Sequence, residues 1–176
     1  MADDVRLRRA QDGDFASIVA LTNKAYRETG PGQSWSVEDL IEGPRLTDET
    51  LREDLAAAPD AQLMIWRDGA DEHLGHVWLE PQGDGAWFLG LLAVRPDLQD
   101  RKLGRRLLAA AEAHAQAEGA TRIAITVLAQ RETLVAWYER RGYRRTGVTK
   151  PWPYHESRLG APTRSDLYFV VLERAI

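Results

Sequence analysis

The segment LAVRPDLQDRKLGRR, residues 92–106, constrains the fold more than any other part of the chain. An apolar strand ends at Val94, a turn opens at Pro96, and Gln99-Asp100-Arg101-Lys102-Leu103-Gly104-Arg105 runs straight into a helix. The first N–H groups of a helix have no internal partner and carry the positive end of its dipole. A phosphate or pyrophosphate is the natural guest of such a cradle. An ordinary strand-to-helix turn with solvated charges is the plainer alternative.

The flanking pattern fits. Residues 5–9 alternate as a short strand. Asp12 or Asp14 is placed to cap a helix carrying Phe15, Ile18, Val19, Leu21 and Tyr26, which Gly30-Pro31-Gly32 ends. Residues 36–41 and 48–55 read as shorter helices, broken by Gly43-Pro44. Residues 62–67 and 73–80 read as strands joined at Asp68-Gly69, with a further turn at Gly83-Asp84-Gly85. Residues 87–94 are mostly apolar, as in a strand buried at a sheet centre. The helix over 103–118 turns Leu103, Leu107, Leu108 and Ala111 inward and stops at Gly119. A strand over 123–128, a helix over 132–141 and strands over 143–148 and 167–173 complete the chain. The order predicts one α+β or mixed α/β domain over residues 1–176, its central sheet mostly antiparallel and flanked by helices. Between the last two strands lies a connection, 149–166, long enough to carry function.

Composition narrows the classes. The chain has no cysteine, which excludes disulfides and thiolate metal sites. No apolar run reaches the ~18 residues of a membrane span, and the N-terminus lacks the apolar core of a secretory signal, so a cytoplasmic protein is expected. A net charge of −4 argues against general nucleic-acid binding. No metal is expected, because His73 and His76, three apart on a strand, face opposite ways and His114 stands alone. Neither a Gly-x-Ser-x-Gly elbow nor a Gly-Lys-Ser/Thr phosphate loop is present.

The motif LAVRPDLQDRKLGRRLL, followed by AWYERRGY, resembles the GNAT superfamily of acetyl-CoA-dependent N-acetyltransferases. The family loop reads Gln/Arg-x-x-Gly-x-Gly/Ala; here Lys102 replaces the first glycine and Gly104 keeps the second. A non-glycine residue there still offers its N–H to a phosphate if its φ stays negative. The resemblance implies a sheet splayed at the strand ending near Val94. Acetyl-CoA would lay its pantetheine arm along the backbone of Leu92, Ala93 and Val94 like an added strand. Its pyrophosphate would sit on the N–H groups of Gln99, Asp100, Arg101, Lys102, Leu103, Gly104 and Arg105. Arg131 stands where the family commonly has asparagine, and either pairs with a cofactor phosphate or sits in solvent. Tyr138 matches the tyrosine beside the thioester sulfur, a phenol able to protonate the leaving thiolate.

The amine acceptor must lose a proton. The two positions where the family commonly carries a glutamate base are Phe88 and Thr126 here. Glu80 and His76 are the nearest substitutes and share strand parity. If Glu80 lies opposite Phe88, both point usefully; a one-residue slip sends both away. A lysine-type amine costs about 4.6 kcal/mol to neutralise at pH 7 and an α-amine about 1.3 kcal/mol, so a weak base suits the second better. By family analogy Trp152, Tyr154, His155 and Glu156 shape the acceptor wall, with Trp35 a second candidate. The acceptor is a small-molecule or peptide amine. Homodimers are common in the family, so the oligomeric state stays open. A non-catalytic acyl-CoA sensor and a transferase for longer acyl chains share the same motifs.

Overall fold

The computed structural model describes residues 5–28 and 40–176, without the side chains of Gln99 and Asp100. The expected helix over 36–41 and the site candidate Trp35 therefore fall wholly or largely outside the described residues; Leu40 lies in a turn and Ile41 in a strand. The elements run β1 (Leu7–Arg9), α1 (Phe15–Arg27), β2 (Ile41–Glu42), α2 (Asp48–Ala57), β3 (Gln62–Arg67), β4 (His73–Gly83), β5 (Ala86–Val94), α3 (Leu103–Ala117), β6 (Arg122–Leu128), α4 (Glu132–Glu139), β7 (Arg144–Pro151), β8 (Ala161–Pro162) and β9 (Tyr168–Ala175). Seven strands form one sheet in the order β1-β3-β4-β5-β6-β9-β7, and β2 pairs with β8 apart from it. Among the described residues only β5–β6 pair in parallel; the other neighbours are antiparallel. This is the mixed α/β architecture expected.

Local chemistry accounts for the joins. Asp84 and Gly85 both have positive φ, the two-residue type I′ turn that suits the twist of a hairpin. Pro81 is tolerated inside β4 because β3 ends its pairing at Leu79, leaving that edge without a ladder bond to lose. Asp14 does not cap α1 through its side chain. Its carboxylate takes Arg8 at 2.7 and 2.9 Å, Arg67 at 3.0 Å and the Gln11 N–H at 2.8 Å. That knot ties β1, the start of α1 and β3 together, and the guanidinium of Arg8 holds the carboxyl far below its usual range. Capping of α2 is ordinary: Thr47 accepts from the Thr50 N–H.

The core lies on both faces of the sheet. On one face, α3 inserts Leu103, Leu107, Leu108 and Ala111, all nearly inaccessible, against β4, β5 and β6. On the other, α1 and α2 pack Phe15, Ile18 and Leu51 on Ile65 and Trp78. A third cluster joins Ile41 and Trp152 to Leu128 and Leu167, under the long connection.

Two irregularities in the ladders shape the sheet around its centre. Gly75 and His73 pair with adjacent residues Trp66 and Arg67, so Leu74 is bulged out of the β3–β4 ladder. This puts His73 on the face of His76, contrary to simple alternation; their ring nitrogens approach to 3.2 Å. On β5, His76 pairs with Ala93 but Trp78 with Gly90, so Leu91 and Leu92 together oppose Val77. Leu91 takes φ of +49°, the left-handed conformation of a bulge.

Candidate active site

β5 and β6 pair only from Ala86↔Arg122 to Phe88↔Ala124. Beyond Phe88 they separate, and the backbone of Leu89 to Val94 faces a gap on the β6 side. The bulge at Leu91 bends β5 away from its neighbour. A cleft of about 750 Å³ opens there, lined among others by Leu92, Tyr138, Glu80, Trp78, Phe88 and Trp152. The splay and the cleft are one feature, and they hold both residues expected to do chemistry.

The loop after β5 delivers α3 to the rim. Its turn is tightened by Leu98 N–H to Arg95 O at 3.2 Å. Arg95 is clamped by Asp97 at 2.6 Å and Glu72 at 3.3 Å. Leu103 and Gly104 are buried, while Arg101, Lys102 and Arg105 are exposed. Lys102, the residue just before α3, has φ of +54°. The condition of a negative φ at this position is therefore not met: the lysine adopts the left-handed shape that glycine takes more easily. The turn's geometry is kept and the cost of a side chain is carried. Leu103, Gly104 and Arg105 occupy the first turn, where helix geometry leaves the N–H groups without internal acceptors.

Tyr138 is 7% exposed, on the buried face of α4, edge-on to Trp137 and Tyr143 at 4.9 and 5.5 Å between ring centres. Burial raises its phenol well above the ordinary value, with nearby Tyr26 adding to the shift. The group is a neutral O–H donor at any working pH. Tyr143 lies behind it, donating at 2.8 Å to Glu112, which also takes Arg174 at 2.6 Å. That network ties the turn after α4 to α3 and β9.

Glu80 pairs with Phe88, the register that turns it into the cleft. It accepts from the Trp78 indole N–H at 3.0 Å, which orients the carboxylate and leaves its second oxygen for a ligand. His76 does not share the cleft despite its parity. It is inaccessible beneath α1, bonded to Thr22 at 2.8 Å and to His73. Burial depresses its basicity strongly and takes His73 down to about 4, so both rings are neutral and structural. The two histidines meet, but no group of three or more His, Cys, Asp or Glu among the described residues is arranged for a metal.

Other candidates divide. Trp152 lines the cleft, stacked on Phe169 at 5.5 Å, with its indole N–H buried and unpartnered among the described residues. Tyr154 and His155 are exposed and lie outside the cleft lining. Tyr154 instead braces the connection, donating to Arg164 O at 2.9 Å and accepting from Leu167 N–H at 2.8 Å. His155 reaches Glu156 at 3.4 Å, on the surface. Arg131 is 8% exposed at the start of α4, which corrects its placement in solvent, and it is not a lining residue.

Sequence reasoning missed Tyr26 and Arg45. Tyr26 donates to Leu92 O at 3.1 Å, and Arg45 sits 5.7 Å from the Tyr26 ring centre. Tyr26 reads as one more apolar residue of an amphipathic helix, and nothing in the sequence places Arg45 near it.

Residues 20–143 match the acetyltransferase (GNAT) family model. The chain belongs to the GNAT acetyltransferase family, an acyltransferase family that uses acetyl-CoA as co-substrate. It is 30% identical over 159 residues to a mycothiol acetyltransferase of Geodermatophilus obscurus, covering 86% of this chain and 48% of that protein. The chain thus spans about half the length of that relative. Among solved structures, a spermidine N-acetyltransferase chimera from Vibrio cholerae and hSSAT matches with a TM-score of 0.72 at 17% identity, covering 98% of this chain and 96% of that one. A GCN5-related N-acetyltransferase from Kribbella flavida matches with a TM-score of 0.66 at 20% identity, covering 100% of both. At these identities the structures speak for the fold. No helix among the described residues is long and apolar enough to cross a membrane.

Proposed function

We propose that residues 1–176 act as one domain that moves the acetyl group of acetyl-CoA to a primary amine by direct attack. The observation that carries this reading is that Tyr138 and Glu80, from α4 and β4, line the same cleft into which the β5–β6 splay opens. The backbone of Leu92, Ala93 and Val94 pairs with the pantetheine arm, and the N–H groups from Gln99 to Arg105 hold the pyrophosphate.

Glu80 takes a proton from the acceptor ammonium, directly or through one water. The freed amine nitrogen bonds to the thioester carbonyl carbon, and a backbone N–H near Leu92 holds the oxyanion. As the carbon–sulfur bond breaks, the Tyr138 O–H donates to the leaving sulfur, and the second proton of the attacking nitrogen passes to the departing thiolate or to water. Its raised pKa fits a donor that stays protonated between turnovers. Complete transfer to a thiolate of pKa about 8.5 is uphill from so weak an acid. The main contribution of Tyr138 is therefore a strong hydrogen bond in the transition state.

The test is free-thiol release from acetyl-CoA against amines differing in charge and basicity. Tyr138→Phe is expected to keep acetyl-CoA affinity and lose on the order of 100-fold in kcat. Unchanged turnover removes Tyr138 from the chemistry. Tight acetyl-CoA binding with no turnover across the panel favours a non-catalytic acyl-CoA sensor.

A further inference from the structure

The cleft carries a charge balance that its catalytic pair does not use. Among the described residues, four charged side chains line it: Arg45, Asp54, Glu80 and Lys150. Asp54 is neutralised by Arg158 at 2.9 Å, and Glu80 is held by the Trp78 indole. Arg45 and Lys150 have no carboxylate partner among the described residues. With Glu80 assigned to the amine, the described lining of the cleft presents two cations without a carboxylate partner among the described residues.

Arg45 is also held in place. Asn23, on α1, accepts from the Arg45 N–H at 2.7 Å and the Leu46 N–H at 3.1 Å, and donates to Leu46 O at 2.8 Å. The guanidinium then lies over Tyr26, whose hydroxyl bonds Leu92 O. Arg45 is therefore anchored one aromatic ring away from the strand that flanks the splay. Beside Thr126 and the phenols of Tyr26 and Tyr138, the described lining is mostly apolar and aromatic, with Trp78, Phe88, Trp152, Leu159 and Phe169.

Resting on the transfer reading above, we propose that the acceptor is an amino-carboxylate with an apolar body, of the kind an apolar α-amino acid presents. Its amine lies toward Glu80 and Tyr138, and its carboxylate pairs with Arg45, with Lys150 adding attraction. A planar guanidinium suits a carboxylate because it offers two parallel N–H donors. A polyamine meets the opposite situation, since its second cation faces Arg45 and Lys150 with one carboxylate to offset them.

The experiment compares L-phenylalanine, L-phenylalaninamide, phenethylamine and spermidine as acceptors by thiol release at fixed acetyl-CoA. The expected KM for phenylalanine is about tenfold below that for its amide, the size of one charge-assisted hydrogen bond. Arg45→Gln is expected to raise the phenylalanine KM about tenfold and to leave the amide KM, the acetyl-CoA affinity and the melting temperature unchanged; Arg45→Lys restores part of the loss. Calorimetric binding of N-acetyl-L-phenylalanine to the CoA-loaded protein reads the same anion contact without turnover. Arg45-dependent binding there with no turnover on the panel overturns the transfer reading and keeps the carboxylate site. Amide or spermidine acetylated as well as phenylalanine, or an Arg45→Gln effect equal for all acceptors, overturns the carboxylate site and keeps the transfer reading. Absence of both turnover and binding overturns both.

Discussion

The two halves of the cleft are built differently. The cofactor half comes largely from one continuous stretch, β5, its loop and the first turn of α3, completed by α4. The acceptor half gathers Arg45, Asp54, Glu80 and Trp152 from segments far apart in sequence. On the proposed reading, one half would grip a constant co-substrate through backbone N–H and C=O groups, which any sequence supplies once the loop geometry is right. The other must fit a particular acceptor, and does so with side chains hung on separate elements. On that reading the first would accept Lys102 in place of glycine, because its contacts would be backbone ones. The second changes its chemistry with each side chain exchanged.

That contrast can be broken experimentally, the largest effect first. Gly104→Glu puts bulk and negative charge into the buried first turn of α3. It is expected to abolish acetyl-CoA binding in calorimetry while a folded far-UV spectrum persists; retained affinity would remove the pyrophosphate from this loop. Glu80→Gln acts on the other half. It should cost on the order of 10- to 100-fold in kcat for basic amines and less for weakly basic ones, with acetyl-CoA affinity unchanged. An equal loss of acetyl-CoA affinity would mean that the halves are not separable.

A third outcome concerns acid. His73 and His76 are neutral in the fold and titrate below the ordinary imidazole value, so the unfolded chain binds more protons. Their contribution is complete above about pH 6.5 and is lost as pH falls toward 4, by more than about 1 kcal/mol. The loss should appear first in the α1–β4 seam, where Thr22 meets His76, and hence in the acceptor half. Hydrogen exchange at pH 5 and pH 7 reads this directly; uniform loosening of α3 would count against it. The smallest effect is Lys102→Gly, which relieves a left-handed side chain. It should raise unfolding free energy by about 1 kcal/mol in denaturant titration, with acetyl-CoA affinity equal or tighter.

The amphipathic spacing of Leu103, Leu107, Leu108 and Ala111 was enough to place α3, because a helix packed on a sheet needs that one apolar stripe. Asp84-Gly85 announced its hairpin because both positions need positive φ. Glu80 was legible as a conditional: register decides, and the observed pairing with Phe88 satisfied the condition. His76 failed although its parity was right, because parity says which face a residue takes and not which helix covers it. Simple alternation separates His73 from His76, and the Leu74 bulge undoes it with one extra residue that sequence periodicity does not register.

The sequence by itself determined the strand–loop–helix that defines the family, the candidate acid Tyr138, and the exclusion of disulfides and cysteine metal ligands among these residues. These depend on short-range periodicity, on backbone conformations that particular residues favour, and on composition. Only the tertiary structure decided where the splay opens, that Tyr138 and Glu80 line one cleft, that Tyr154 and His155 stay outside it, and that Arg45 enters through Asn23 and Tyr26. Those outcomes rest on bulges, strand register and contacts between distant segments, set by how the whole sheet packs against α1, α2 and the long connection.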